Sequence, residues 1–203
     1  MLQRDSPGLV LASGSAARRA LLQAAGLRFE TRTPSVDEAA VKTAARLEGT
    51  GAEQAALMLA ELKAAQVACN EPGALVIGAD QILVCGRTWF DKPADIEAAQ
   101  AQLEALRGDT HRLATAAVCV LDGRCVWHHV ASPHLTMRAF SDTFLTAYLD
   151  AEGDRVLGSV GCYRLEGLGV HLFEQVDGNH AAILGLPLLP LLRFLRQYAV
   201  LVE

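Results

Sequence analysis

The stretch Ala74-Leu75-Val76-Ile77-Gly78-Ala79-Asp80-Gln81-Ile82-Leu83-Val84-Cys85 decides how the chain is read. Two short apolar runs, Ala74–Ile77 and Ile82–Cys85, flank a glycine, a carboxylate and an amide. Short runs rich in Val, Ile and Leu suit buried strands. If the segment is a central strand, Asp80 lies inside it or at its end, where an unpaired charge costs on the order of several kcal/mol. The carboxylate then needs a metal ion, a Lys or Arg, or hydrogen-bond donors. If the runs are instead the two arms of a hairpin, Asp80 is satisfied in the turn between them. Both readings stand at this level.

Outward from this stretch, strands and helices alternate. Gly8–Ser13 is an apolar run ending in small polar residues, which predicts a buried strand. A helix follows, with Ser15 as N-cap, Leu21 and Leu22 on its apolar face and Gly26 closing it. Phe29–Pro34 reads as a second strand, and Val36-Asp37-Glu38 as an acidic turn. Glu53–Cys69 is expected to be helical, burying Leu57, Leu59, Leu62 and Val67. Asp95–Leu106 places Ile96, Ala99, Leu103 and Leu106 at helical spacing. Arg112–Leu121 and Cys125–Phe140 are expected as long strands joined by an Asp122-Gly123 turn. Ser141 caps a helix through Leu149, and the glycine-rich Gly158–Gly169 leads into Val170–Phe173. A last helix starts at Pro187 or Pro190 and runs to Tyr198. The fold class is mixed α/β.

Composition narrows the function. A net charge of −5 leaves no basic face on the scale that nucleic acid or an anionic membrane requires. A polyanionic ligand would need a local cationic pocket. The longest apolar stretches, Leu113–Leu121 and Ala181–Leu192, are too short to span a bilayer, and the N-terminal apolar patch Gly8–Ala12 is too short for a secretory signal. Five scattered cysteines without C-x-x-C spacing read as small buried residues in a reducing compartment, so the expected location is the cytoplasm. No H-x-H or H-x-x-x-H pair argues for zinc. Of the 18 Lys and Arg residues only Lys42, Lys63 and Lys92 are lysines, a bias that either base composition or a need for compact ammonium groups explains.

Several residues could carry chemistry. Arg18 and Arg19 fall in the first turn of the first helix, where the macrodipole disfavours cations. With the free backbone N–H groups and the hydroxyls of Ser13 and Ser15 they could cradle an anion, or simply be solvated. Asp37-Glu38 could add a second carboxylate or be a solvated loop pair. Lys63 sits mid-helix, where a surface lysine is the plain expectation. Asp91-Lys92-Pro93 anchors a loop before a helix, and Glu166 lies in the glycine-rich Leu165-Glu166-Gly167-Leu168-Gly169, which either admits a ligand or merely turns.

In order along the chain, Ala12-Ser13-Gly14-Ser15-Ala16-Ala17-Arg18-Arg19, Val36-Asp37-Glu38, Gly78-Ala79-Asp80-Gln81, Asp91-Lys92-Pro93, Gly108 through His111 with Thr115, Glu166-Gly167-Leu168-Gly169 and Gly185-Leu186-Pro187 resemble the motifs of the Maf family of nucleotide pyrophosphatases. The resemblance runs from Leu9 to Leu195. It implies a single domain over 1–203 with a two-lobed, ITPase-like α/β fold: a long twisted sheet, flanking helices and an active-site cleft between the lobes. It also implies hydrolysis of a nucleoside triphosphate to monophosphate and pyrophosphate with Mg²⁺ or Mn²⁺, and allows for a homodimer. Carried over by motif, Asp80 is the catalytic acceptor and, with Glu38, holds the metal. Ser13, Arg18, Arg19, Lys63 and Lys92 hold the triphosphate.

The pairs Asp80-Gln81 and Glu166-Gly167 look like the branch acting on 7-methyl-GTP. The dTTP/UTP branch is the runner-up, and a non-catalytic nucleotide binder acting on septum formation is the alternative of another class. One carboxylate can accept both the N1–H and the N2–H₂ of a 7-methylated guanine, a part that suits Glu166, while Gln81 reads another polar group. The chain departs from the family at Ala16, usually proline, and at Ala17, where the family carries a larger side chain that helps set specificity.

Overall fold

The computed structural model describes residues 2–202. Eight strands, β1 (Leu9–Ala12), β2 (Glu30–Arg32), β3 (Leu75–Cys85), β4 (Thr88–Phe90), β5 (Thr110–Leu121), β6 (Arg124–Ala131), β7 (His134–Met137) and β8 (Phe173–Asp177), form one mixed, open sheet in the order β2-β1-β3-β5-β7-β8, with β4 on β3 and β6 on β5. The described residues divide into two compact units, one of 2–81, 115–131 and 180–202, the other of 82–114 and 132–179. Two long strands, β3 (Leu75–Cys85) and β5 (Thr110–Leu121), run from one unit into the other.

In the first unit, β1 (Leu9–Ala12) pairs in parallel with β2 (Glu30–Arg32) and with the first half of β3. The second half of β5 pairs antiparallel with β6 (Arg124–Ala131) through the Asp122-Gly123 turn, both of whose residues have positive φ. Alternate strand residues face opposite ways. Leu9, Leu11, Leu75, Ile77, Ala79, Ala117 and Cys119 share one core with Leu22 of α1 (Ala16–Ala24) and Leu191, Phe194 and Leu195 of α7 (Leu188–Gln197). The other face of β3 carries Gly78 and Asp80.

That face is covered by α3 (Ala52–Ala68). A Cβ at Gly78 would lie 2.2 Å from the Ala60 carbonyl oxygen and 2.8 Å from the Ala64 Cβ, so helix and strand meet backbone to backbone. The buried stripe of α3 is built of alanines (Ala52, Ala55, Ala56, Ala60, Ala64) with Leu59, Val67 and Lys63. Small residues make the approach possible, and the helical period puts Lys63 on the same side as Ala60 and Ala64.

The structure corrects several expectations. The segment around Asp80 is one continuous strand, not a hairpin, and Asp80 is inside it. Val36–Glu38 is the start of α2 (Glu38–Leu47): the Asp37 carboxylate accepts from the Ala40 N–H, and Glu38 sits in the first turn, where the macrodipole favours it. Leu62 is exposed and Leu57 half-buried, because alanine rather than leucine lines the close helix–sheet contact. Lys63, expected at the surface, is 6% exposed. Cys69 and Cys125 are exposed rather than buried, although all five cysteines are free as expected.

In the second unit, β4 (Thr88–Phe90) lies antiparallel to the end of β3, and β7 (His134–Met137) bridges the start of β5 and β8 (Phe173–Asp177). The expected long strand Cys125–Phe140 is broken at Ser132-Pro133, where proline cannot donate to a ladder. Residues 168–172 form a 3₁₀ turn, so the strand begins only at Phe173. Helices α4 (Ile96–Leu106) and α5 (Asp142–Glu152) are capped by Asp95 and Ser141. The short α6 (His180–Ile183), unread in the sequence, returns the chain to the first unit.

Replacing Gly78 by alanine is expected to cost about 3 kcal/mol of unfolding free energy, because the added methyl group meets backbone. Gly8→Ala, whose added Cβ meets nothing within 4 Å, should change it by less than about 0.5 kcal/mol. Urea denaturation of the two variants makes the comparison.

Candidate active site

Asp80 is 3% exposed and carries the geometry of the first unit's site. Its Oδ1 accepts from the Lys63 ammonium at 2.5 Å, while its Oδ2 is buried without a hydrogen-bond partner among the described residues. The same ammonium lies 2.6 Å from Glu38 Oε1. Lys63 therefore bridges two carboxylates, Asp80 on the strand and Glu38 at the start of α2. Asp80 and Lys63 are both buried, so the pairing is what makes either charge tolerable. Glu38, with its side chain 45% exposed, closes the group toward solvent.

Arg18 is held close by in a different way. The Ser15 hydroxyl accepts from the Arg18 backbone N–H, as an N-cap should. The guanidinium folds back, Nη1 donating to the Ser13 hydroxyl at 3.2 Å and Nε to the Gly185 carbonyl at 2.8 Å. Both acceptors are neutral. Burial lowers the Arg18 pKa from its ordinary value, with the charges of Asp80 and Glu38 opposing that shift. A desolvated cation with N–H donors to spare, beside the free N–H groups of a helix start, is a site for an anion.

Gly185 has φ of +100°, and a Cβ there would stand 3.2 Å from the Arg18 Nε, so glycine suits the position twice over. The loop that carries it is tied down by Gln81. The Gln81 amide nitrogen donates among the Thr115 hydroxyl (2.8 Å), the Ala182 carbonyl (3.0 Å) and the Ile183 carbonyl (3.1 Å), and the Thr115 hydroxyl also donates to Ala182. The nitrogen of Gln81 is thus used by the protein.

Ser13, Arg18, Glu38, Lys63, Asp80 and Gln81 come together in the first unit as a connected set. Arg19 is exposed and Ala17 half-buried on the same helix turn. Lys92 and Glu166 belong to the second unit, Lys92 exposed in the loop before α4 and Glu166 exposed in the turn after Arg164. Lys63, expected from the resemblance to contact phosphate, is engaged by two carboxylates. The roles of Thr115 and of the Gly185 carbonyl were missed, because a hydroxyl and a backbone oxygen leave no charge pattern. Only the Gly185-Leu186-Pro187 motif marked the loop.

The second unit holds a buried polar group of its own. His111 is 1% exposed, its Nε2 is 2.8 Å from the Tyr163 hydroxyl and its Nδ1 has no hydrogen-bond partner among the described residues. Burial, with a smaller contribution from His134, lowers its pKa to about 4, so the ring is neutral at pH 7.

Comparison with known proteins adds the lineage. The model of the family described as Maf-like protein matches residues 8–198. The chain belongs to the Maf family. It is 51% identical over 193 residues, 95% of the chain and 98% of the relative, to the nucleoside triphosphate pyrophosphatase of Granulibacter bethesdensis. Identity is 54% over 193 residues, 95% of the chain and 100% of the relative, to the protein of the same name from Paramagnetospirillum magneticum. It is 47% over 189 residues, 93% of the chain and 95% of the relative, to the 7-methyl-GTP pyrophosphatase of Brucella abortus. The Maf assignment agrees with the mixed α/β sheet. Among the described residues no helix is long and apolar enough to cross a membrane.

Arg18→Met is expected to weaken the binding of inorganic tripolyphosphate by about ten-fold or more, the weight of one or two charge-assisted hydrogen bonds. Calorimetric titration of the wild type and the variant measures it.

Proposed function

We propose that the chain hydrolyses a nucleoside triphosphate to the monophosphate and pyrophosphate. The observation that carries this reading is the buried Asp80 with one oxygen on Lys63 and the other without a partner among the described residues, in the same unit as a cation whose guanidinium donates to two neutral acceptors. The Arg18 guanidinium, the Ser13 hydroxyl and the N–H groups opening α1 hold the phosphates, with Arg19 and Lys92 as further cations for the chain of charges. The Lys63 ammonium, gripping Asp80 and Glu38, holds the Asp80 carboxylate in place. Asp80 Oδ2 takes the proton of the attacking water, the water oxygen bonds to phosphorus, and the α–β anhydride breaks to release pyrophosphate.

A divalent cation fits this site as hard oxygen chemistry. Among the described residues no group of three or more His, Cys, Asp or Glu could hold a metal by itself. Mg²⁺ keeps several waters and is commonly held by one or two carboxylates plus substrate phosphates. Asp80 and Glu38 are the residues that would hold it, and it would supply charge neutralisation on the phosphates and a more acidic water.

For the base, we infer a preference for 7-methyl-GTP. The Brucella abortus relative bears that name. Glu166, exposed in its glycine-rich turn, offers the carboxylate that a guanine N1–H and N2–H₂ edge asks for. Gln81 offers Oε1 to a donor, and Ala17 leaves room on the helix turn. The chain acts in the cytoplasm on a small-molecule substrate, without nucleic acid or membrane, as a monomer or a homodimer.

Asp80→Asn is expected to lower kcat by roughly 10³-fold or more, because the amide is no base, while nucleotide still binds. Pyrophosphate release from a panel of triphosphates with Mg²⁺ or Mn²⁺, alongside equilibrium nucleotide binding, checks both halves. Turnover in the variant equal to the wild type's contradicts the role given to Asp80.

A further inference from the structure

The second unit contains a buried ion pair that the chemistry above does not use. Glu152, the last residue of α5, has a side chain 1% exposed and accepts from Arg164 Nε at 3.2 Å and Nη2 at 3.4 Å. Arg155 Nε stands 3.4 Å from the same carboxylate, and Arg155 also donates to the Ala151 and Glu152 carbonyls at the end of the helix. A buried carboxylate is a weak device for stability alone, since its desolvation offsets most of the attraction. What it fixes is Arg164.

Arg164 opens the turn Arg164-Leu165-Glu166-Gly167, closed by the Gly167 N–H donating to the Arg164 carbonyl at 3.0 Å. The glycines that follow are moulded on that arginine. A Cβ at 167 would lie 3.0 Å from Arg164 Nη2, and one at 169 would lie 2.6 Å from the Arg164 carbonyl oxygen. Glu166 occupies the third position of this turn, so the backbone that aims it is set by an arginine whose own head group is locked from below. The Arg164 pKa is raised, first by its hydrogen bond to Glu152 and with a further contribution from the charge of Glu166. One guanidinium is thus anchored on a buried carboxylate at the foot of the turn that carries an exposed one.

We infer that Glu152 and Arg164 are positioning residues for base selection, the buried pair holding the turn that presents Glu166. This rests on Glu166 being the base reader. It needs no contact between either residue and the nucleotide.

The test compares kcat and KM for 7-methyl-GTP and for UTP, with thermal unfolding in parallel, in the wild type, Glu166→Gln, Arg164→Met and the double variant Glu152→Met with Arg164→Met. The double variant removes both charges together, which spares the fold an unpaired buried carboxylate. Arg164→Met and the double variant should raise KM for 7-methyl-GTP roughly ten-fold, with kcat and the UTP constants little changed, the same pattern expected of Glu166→Gln. A merely structural pair would shift the melting temperature and leave the ratio of the two substrates where it was. If Glu166→Gln loses the discrimination and the double variant keeps it, the positioning role is overturned while the base reading stands. If Glu166→Gln itself keeps the discrimination, the base reading falls and takes this inference with it.

Discussion

The contact on which the rest of the site depends is the close approach of α3 to β3 at Gly78. Without a side chain there, the Ala60 carbonyl and the Ala64 methyl rest directly on the strand backbone. That short distance lets a lysine reach a carboxylate on a central strand while both remain buried. A bulky side chain at 78 would lift the helix and draw Lys63 away from Asp80, leaving a buried charge without its partner at a cost on the order of several kcal/mol. Packing comes first here, and the electrostatics follow from it.

The two cations of the first unit then have different tasks. Lys63 is neutralised by Asp80 and Glu38, and its compact ammonium can serve both, which suits a lysine better than an arginine. Arg18 is fixed by a hydroxyl and a carbonyl, both neutral, so its hydrogen bonds among the described residues leave its charge for an anion. The loop supplying that carbonyl is itself held by Gln81 and Thr115. Gln81, next to Asp80 in sequence, therefore links the acid strand to the arginine through backbone rather than through charge.

Much of this was legible in the sequence, for reasons that differ by residue. The apolar runs and N-cap signals at Ser15 and Ser141 placed most strands and helices, because they act locally. The order of the motifs identified the lineage. The α2 helix was missed because Asp37-Glu38 reads equally as a solvated turn, and its N-cap role shows only when the next residues are seen to be helical. Lys63 was misjudged because the α3 pattern was read from its leucines, whereas the buried stripe is alanine, chosen for closeness rather than for area. The grip of Gln81 on residues 182 and 183, across 101 and 102 positions, and of Thr115 on 182, across 67, leaves no periodic trace.

A double-mutant cycle on the unfolding free energy of Lys63→Met, Asp80→Asn and the combined variant tests the central contact most directly. A buried, mutually dependent pair predicts that the two losses fail to add by about 2 kcal/mol or more, since either single change strands the other partner. Losses that add to within about 0.5 kcal/mol would mean that the lysine and the aspartate do not rely on each other, and the site as described would not exist.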